Sequence, residues 1–529
     1  MLTRRSFITL LGAGTYELLR SSSSFGAVFP SKRSSAKFRK FKPIAPSLKD
    51  ELILPKGYSF DRLISYGDPL GSKGPLGDEF FGADCDFLTF FPLSKDDGLL
   101  WVNHEYLQSL LVSGVLKPED KTKEQILKEK LVVGGSVVHI RRVGKKWEYV
   151  QDKERNHRFT ALYPEIQMTG PARVQVPMGK GTLANCSGGK TPWNTVLSCE
   201  ENFQLFNDPE YLGWEKYSAT KIDEKQYGWV VEIDPFRKLA PKKHTALGRF
   251  CHENAAWRVG GKNKFVVYMG DDSKDQYFYK FISAESFNPK ASREEQSKLL
   301  EAGTLYAADF SKGKWIALDW ATNPILKETF DSQAHVLMET RAAAKAVKAT
   351  PLDRSEDCEI HPLDGSVYLS LTNNSAHGNA YGQIVRLVEK GDDAEAIDFR
   401  YEIFLAGGPQ SGLAAPDNLC FDKQGNLWVC CDVTSSDIGK GAYESFGNCG
   451  MFFVPTAGAN AGNAFQFASA PVQAELTGPW FDEDESTLFL SVQHPGELTT
   501  DLTEPKSRWP LHGSALPLSS VVAIQGFKS

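Results

Sequence analysis

The hydrophobic and polar positions of the chain repeat as a unit: an apolar run of strand length, a turn of Asp, Gly, Lys or Asn, and a second apolar run. Cys85–Phe91, the turn Lys95-Asp-Asp-Gly98 and Leu100–Val102 make one copy, and Asn254–Trp257, Gly260–Asn263 and Phe265–Met269 make another. Cys358–Leu369, Asn418–Val429 and Gly478–Leu490 repeat the unit most clearly, and Cys186–Glu201 adds a copy. Tyr227–Ile233, Tyr277–Phe281, Gly382–Leu387 and Gly450–Val454 supply further strands between them. Several short strands per irregular unit predict an all-β fold, a six-bladed β-propeller, whereas a two-domain β-sandwich would leave the repeat unexplained. Lys121–Leu131, Arg293–Ala302 and Ser332–Val347 read as a few helices inserted between blades.

A length of 529 residues would by itself suggest about three or four domains. No composition break follows residue 54, so 54–529 is expected to be one propeller, with 1–53 a signal and linker. The net charge of -6 gives no electrostatic footprint for nucleic acid, and no nucleic-acid partner is expected. The nine cysteines are odd in number and have no C-x-x-C spacing, which argues against a zinc ribbon and a simple disulfide framework. No segment is long and apolar enough for stable membrane insertion.

The first residues carry Arg4-Arg5, Ser6, Phe7 and a short apolar run that Glu17 and Arg20 end. This pattern resembles a twin-arginine export signal and is too short to span a bilayer; a basic, disordered N-terminus is the plainer reading. The signal implies the twin-arginine translocase as a partner and a periplasmic or secreted location. Export by that route follows folding, which suits a protein loaded with metal beforehand.

Candidate chemistry centres on Asn185–Glu201, which combines Cys186, a Gly-Gly turn, a short strand, Glu200 and Glu201. A thiolate converging with carboxylates points to metal, and to iron or zinc rather than calcium or magnesium alone. A buried free cysteine beside a solvated glutamate pair fits the same stretch. In a propeller, strand ends from different blades meet near the axis. Glu253, Asp271, Asp272, Glu356, Asp357, Glu359, Asp417, Asp432 and Asn103-His-Glu105 therefore join the candidates. Carboxylates gathered there would repel one another unless cations neutralise them. Arg354, beside Glu356, offers a planar fork for a phosphate or carboxylate, although an ordinary Arg–Glu pair reads the same. Walker A, G-x-S-x-G and H-E-x-x-H patterns are absent from the sequence.

Leu54-Pro-Lys-Gly-Tyr58, Cys85-Asp-Phe-Leu88, Val102-Asn-His-Glu-Tyr106, Asn185-Cys186, Ser198-Cys-Glu-Glu201, Gly248-Arg-Phe250, His252-Glu253, Arg354-Ser-Glu-Asp357, Leu371-Thr-Asn-Asn374, Pro416-Asp-Asn418 and Ser491–Glu497 together resemble the PhoX-type bacterial alkaline phosphatases. The resemblance implies a six-bladed propeller whose axial site holds iron and calcium and hydrolyses small phosphate monoesters for phosphate acquisition. It implies Cys186 as a thiolate ligand to iron, Glu201, Glu253 and Glu356 as metal ligands, and Asp272 in the calcium part. Arg354 would bind the substrate phosphate as the catalytic arginine. Glu200 is carried as a metal candidate although its role is harder to assign, and Ser355 stands where the family is expected to have proline. A calcium-dependent propeller lactonase or esterase would share the fold and have no use for Cys186. A non-catalytic secreted calcium-binding propeller would keep the cations as structure only.

Overall fold

The computed structural model describes residues 41–527, so Arg4-Arg5 and the rest of the expected export signal lie outside the described residues. Six sheets, antiparallel except for one pair of strands, surround an axis, and their innermost strands follow one another around a closed ring. These innermost strands are Cys85–Ser94, Asn185–Lys190, Ala256–Val259, Ser355–Ile360, Pro416–Phe421 and Glu475–Phe481, which define blades 1 to 6. The repeated strand–turn–strand units are the first two strands of each blade. The second blade is the irregular one: Lys242–His244 pairs in parallel with Glu165–Thr169, a strand from earlier in the chain.

Ring closure joins the two ends of the chain. Ser59–Ser65 pairs antiparallel with Ser520–Gln525 and becomes the outermost strand of blade 6. Each interface between neighbouring blades has its own apolar layer. Leu88, Phe90 and Leu100 of blade 1 pack against Phe489, Val521 and Ala523 of blade 6, and Phe87, Phe91 and Trp101 pack against Val196, Val231 and Ile233 of blade 2. Alternation along every strand therefore buries both faces of each sheet, and the polar ends of the inner strands are left facing the axis.

The helical insertions form where the sequence predicts them. Lys123–Val132 begins at a capping box between Thr122 and Gln125, and Arg293–Ser297 at one between Ser292 and Glu295. The third expected helix is two, Gln333–Met338 and Thr340–Ala346, because Glu339 leaves helical geometry with ψ at 46°.

Residues 41–53 differ from the linker expected of them. Ile53 bridges to Ser469, Asn448 donates to the Lys49 carbonyl, and Asp50 accepts from Ser507 Oγ at 2.6 Å. Phe41 meets Tyr58, Phe453 and Phe467 edge-on. The segment is polar in composition, but its few apolar residues find a prepared aromatic surface on blades 5 and 6. Among the described residues, no helix is long and apolar enough to cross a membrane.

Candidate metal centre

One local device recurs around the axis. In blade 2, Asn185 opposes Glu200 whereas Gly188 opposes Ser198, so three steps on the inner strand match two on its partner. The same single-residue bulge occurs in blades 1, 4, 5 and 6, and between the His252–Asp271 bridge and the Ala256–Tyr268 pair in blade 3. A bulge re-aims a side chain and bends its strand. The residue just past the last regular pair is Asp86, Cys186, Glu253, Glu356 or Asp417 in blades 1 to 5, and Gly478 in blade 6. A Cβ on Gly478, whose φ is +55°, would lie 2.7 Å from both the Leu88 nitrogen and the Phe87 Cα, so blade 6 has room only for glycine there.

A second set stands where the partner strand ends. The backbone N–H groups of Glu105, Glu201, Asp272, Thr372 and Asp432 donate to the carbonyls of Asp84, Ala184, Cys251, Arg354 and Ala415. Four of these acceptors, Asp84, Ala184, Arg354 and Ala415, have positive φ, which turns the chain into the bulge that follows. Blades 1 to 5 thus each deliver a pair: Asp86 with Glu105, Cys186 with Glu201, Glu253 with Asp272, Glu356 with Thr372, and Asp417 with Asp432. Blade 6 instead brings Glu475 and His494, whose Nε2 lies 3.4 Å from Glu475 Oε1.

Among the described residues, three overlapping groups could hold metal ions: Asp86, Glu105 and Cys186; Cys186, Glu201 and Glu253; and Glu253, Asp272 and Glu356. The ligand atoms of each group lie within 4.8 Å of one another, and every residue in them is buried. The Cys186 thiol lies 3.2 Å from Glu253 Oε2 and 3.4 Å from Asp86 Oδ2. Asp86 Oδ1 is buried and has no hydrogen-bond partner among the described residues.

The electrostatics describe a site short of positive charge. Burial first, then the neighbouring carboxylates, push Glu201 and Glu253 well above the usual carboxylate range. Asp86 and Asp417 rise for the same reasons, and Cys186 rises well above an ordinary thiol. Arg354 provides the main relief. Its Nη2 lies 2.7 Å from Asp272 Oδ2 and 2.7 Å from Glu356 Oε1, and its Nη1 3.1 Å from Asp432 Oδ2. Burial would raise Asp432, yet the guanidinium holds it below the usual range; Glu356 stays high because burial outweighs the same arginine.

Of the expected site residues, Cys186, Glu201, Glu253, Asp272, Glu356 and Arg354 converge here. Glu200 does not. It turns to the opposite side of its strand, where Lys243 Nζ at 2.7 Å and Thr182 Oγ1 at 2.8 Å satisfy it, all three being buried. Asp271 pairs with Arg341 at 3.0 Å, and Asp357 accepts from the Leu419 N–H at 2.8 Å and from Asn254. Adjacent residues at a strand end point to opposite sides, so one member of each acidic pair reaches the axis. Asp86, Glu475 and His494 join the site without a local sequence signal that marks them as ligands. Aligning the six repeats would have put Asp86 in one column with Cys186, Glu253, Glu356 and Asp417; Glu475 and His494 have no counterpart in the other blades.

Comparison with known proteins gives this arrangement a family. The model of the alkaline phosphatase PhoX family matches residues 39–496. The chain belongs to the PhoX family of alkaline phosphatases. Like the family, it hydrolyses phosphate monoesters. The structure of Pseudomonas fluorescens PhoX, solved with vanadate as a transition-state analogue, is 32% identical and superposes with a TM-score of 0.82 over 92% of this chain and 97% of that one. A gluconolactonase from Xanthomonas campestris is 10% identical, with a TM-score of 0.29 over 88% of this chain and 99% of that one. A protein of unknown function from Dyadobacter fermentans is 8% identical, with a TM-score of 0.40 over 89% and 99%. Neither of these two is similar enough to bear on activity. No curated protein matches the chain.

Proposed function

We propose that the phosphatase reaction takes place at the axial clusters, loaded with iron and calcium, and that the enzyme serves phosphate acquisition outside the cytoplasm. The observation that carries the metal assignment is a single thiol, Cys186, set among carboxylates from three blades. Sulfur suits iron or zinc, the family resemblance favours iron of the two, and an all-oxygen group favours calcium. The residues fit such ions: Asp86 Oδ1 is buried and has no hydrogen-bond partner among the described residues, and burial together with neighbouring carboxylates raises Glu253.

In this reading Cys186, Glu201 and Glu253 hold iron, with Asp86 and Glu105 beside them. Glu253, Asp272 and Glu356 hold calcium. Bound cations would neutralise charge on the phosphoryl group, which is most of what phosphoryl transfer requires. The protein's own part is to orient. Arg354 presents a planar fork to the phosphate, held in place by Asp272, Glu356 and Asp432 from three successive blades. Thr372 Oγ1 donates to Glu356 Oε1 at 2.8 Å and keeps that carboxylate turned inward.

The test is a phosphatase assay on metal-analysed protein before and after chelation. Iron together with calcium, and activity lost on chelation and regained on adding both, is the expected result. Full activity in protein free of iron, or calcium as the sole metal of active protein, would refute the iron assignment.

A further inference from the structure

Asn103 stands two residues before Glu105 at the end of a blade 1 strand, and it is fully buried. Its amide uses every bonding direction. Nδ2 donates to the carbonyl oxygens of Cys186 at 2.8 Å and Ser187 at 3.0 Å, both in the next blade. Oδ1 accepts from Trp101 Nε1 at 2.7 Å and from Ser198 Oγ at 2.7 Å. The orientation follows from the partners: an indole N–H only donates and a backbone carbonyl only accepts, so the amide oxygen must face Trp101.

Cys186 and Ser187 are the bulge of blade 2, where the ladder to Val196–Glu200 is interrupted. Backbone at a bulge has lost its sheet partners and takes its direction from whatever else bonds it. From a rigid strand of another blade, Asn103 grips the carbonyls of two successive peptides, Cys186–Ser187 and Ser187–Gly188.

We propose that Asn103 is a positioning residue: by clamping this bulge it sets where Cys186 Sγ points, without itself touching metal or substrate. The proposal rests on reading Cys186 as a metal ligand. Asn448 provides an internal comparison, because its buried amide makes the same double donation outside the three ligand groups. Its Nδ2 donates to the carbonyls of Lys49 and Ala470, both at 3.0 Å.

Asn103→Asp keeps the shape and removes both donors, setting a carboxylate oxygen against two carbonyls. Two readouts apply. The first is the visible thiolate-to-iron absorption of the loaded protein, with iron affinity. The second is the alkylation rate of Cys186 in chelator-stripped protein, compared by mass spectrometry with that of Cys199 in the same molecules. Asn103→Asp is expected to displace the absorption, to weaken iron binding by about tenfold or more, and to speed alkylation of Cys186 but not of Cys199. Asn448→Ala is expected to lower the melting temperature and leave both readouts unchanged. An unchanged absorption and alkylation rate in Asn103→Asp, or equal changes in Asn448→Ala, would overturn the proposal. If Asn103→Asp does not fold, Ser198→Ala, which removes one anchor of the amide, should give a smaller change of the same sign, and no change would again overturn it. Wild-type protein without the iron absorption would sink the metal reading, while the alkylation comparison would still decide the clamp.

Discussion

The sulfur of Cys186 lies 3.2 Å from Oε2 of Glu253, a carboxylate 67 positions later in the chain and one blade further round the axis. Both are bulge residues of the same kind, so the contact is made by the repeat itself. Replacing Cys186 by Ser should lower iron content and phosphatase activity together, because serine is a poor substitute for a thiolate. Cys199→Ser is the control. Cys199 lies among Leu197, Val230 and Leu247 in an apolar cluster, and its loss should cost on the order of 1 kcal/mol with iron and turnover intact. Both variants keeping full iron and turnover would mean that the site is built from carboxylates alone.

Arg354→Lys keeps a positive charge among Asp272, Glu356 and Asp432 but loses the fork. We expect kcat/KM to fall on the order of 100-fold, the scale seen when one transition-state donor is removed, with metal content retained. Wild-type kinetics in this variant would remove Arg354 from the reaction.

Metal removal should destabilise the protein in a pH-dependent way. Burial and like charge raise Glu201, Glu253 and Glu356, and burial pushes Asp84 up to about 7. Unfolded carboxyls titrate near 4, so from about pH 4 upward the folded chain holds more protons than the unfolded one, and stability falls as pH rises. Each pair of charges left facing one another costs on the order of 1–4 kcal/mol. The melting temperature of chelated protein should therefore drop between pH 5 and about 8, while that of loaded protein drops less. A chelated protein whose melting temperature is flat or rises over this range would contradict the electrostatic account.

The ordered N-terminal segment predicts where truncation is tolerated. Phe41→Ala removes edge-on contacts to three rings and should cost on the order of 1–2 kcal/mol. A chain starting at residue 54 also loses Asp50 and the Ile53 bridge, and should melt below one starting at 41. Equal melting temperatures would show that the segment is an ornament.

The expected export signal is tested separately. Changing Arg4 and Arg5 both to Lys keeps the charge and should abolish twin-arginine export, measured as the fraction of activity outside the cytoplasm. Unchanged export would show that the leader was misread.

The sequence by itself determined the blades. Apolar runs broken by polar turns mark two strands of every blade, because alternation and turn chemistry are local properties that a reader can take a few residues at a time. It also carried Cys186, Glu201, Glu253, Asp272, Glu356 and Arg354, mostly through the family resemblance. What only the tertiary structure decided is which neighbour in each acidic pair faces the axis. Glu200 and Glu201 look alike in sequence, yet one meets Lys243 and the other meets the cluster, because a one-residue step at a strand end reverses the direction of the side chain. The bulges that aim Asp86, Cys186, Glu253, Glu356 and Asp417, and the docking of residues 41–53 on blades 5 and 6, were equally out of reach. Both depend on partners hundreds of residues away or on the neighbouring blade, and the hydrogen bonds that fix them, such as those of Asn103, exist only once neighbouring blades have packed.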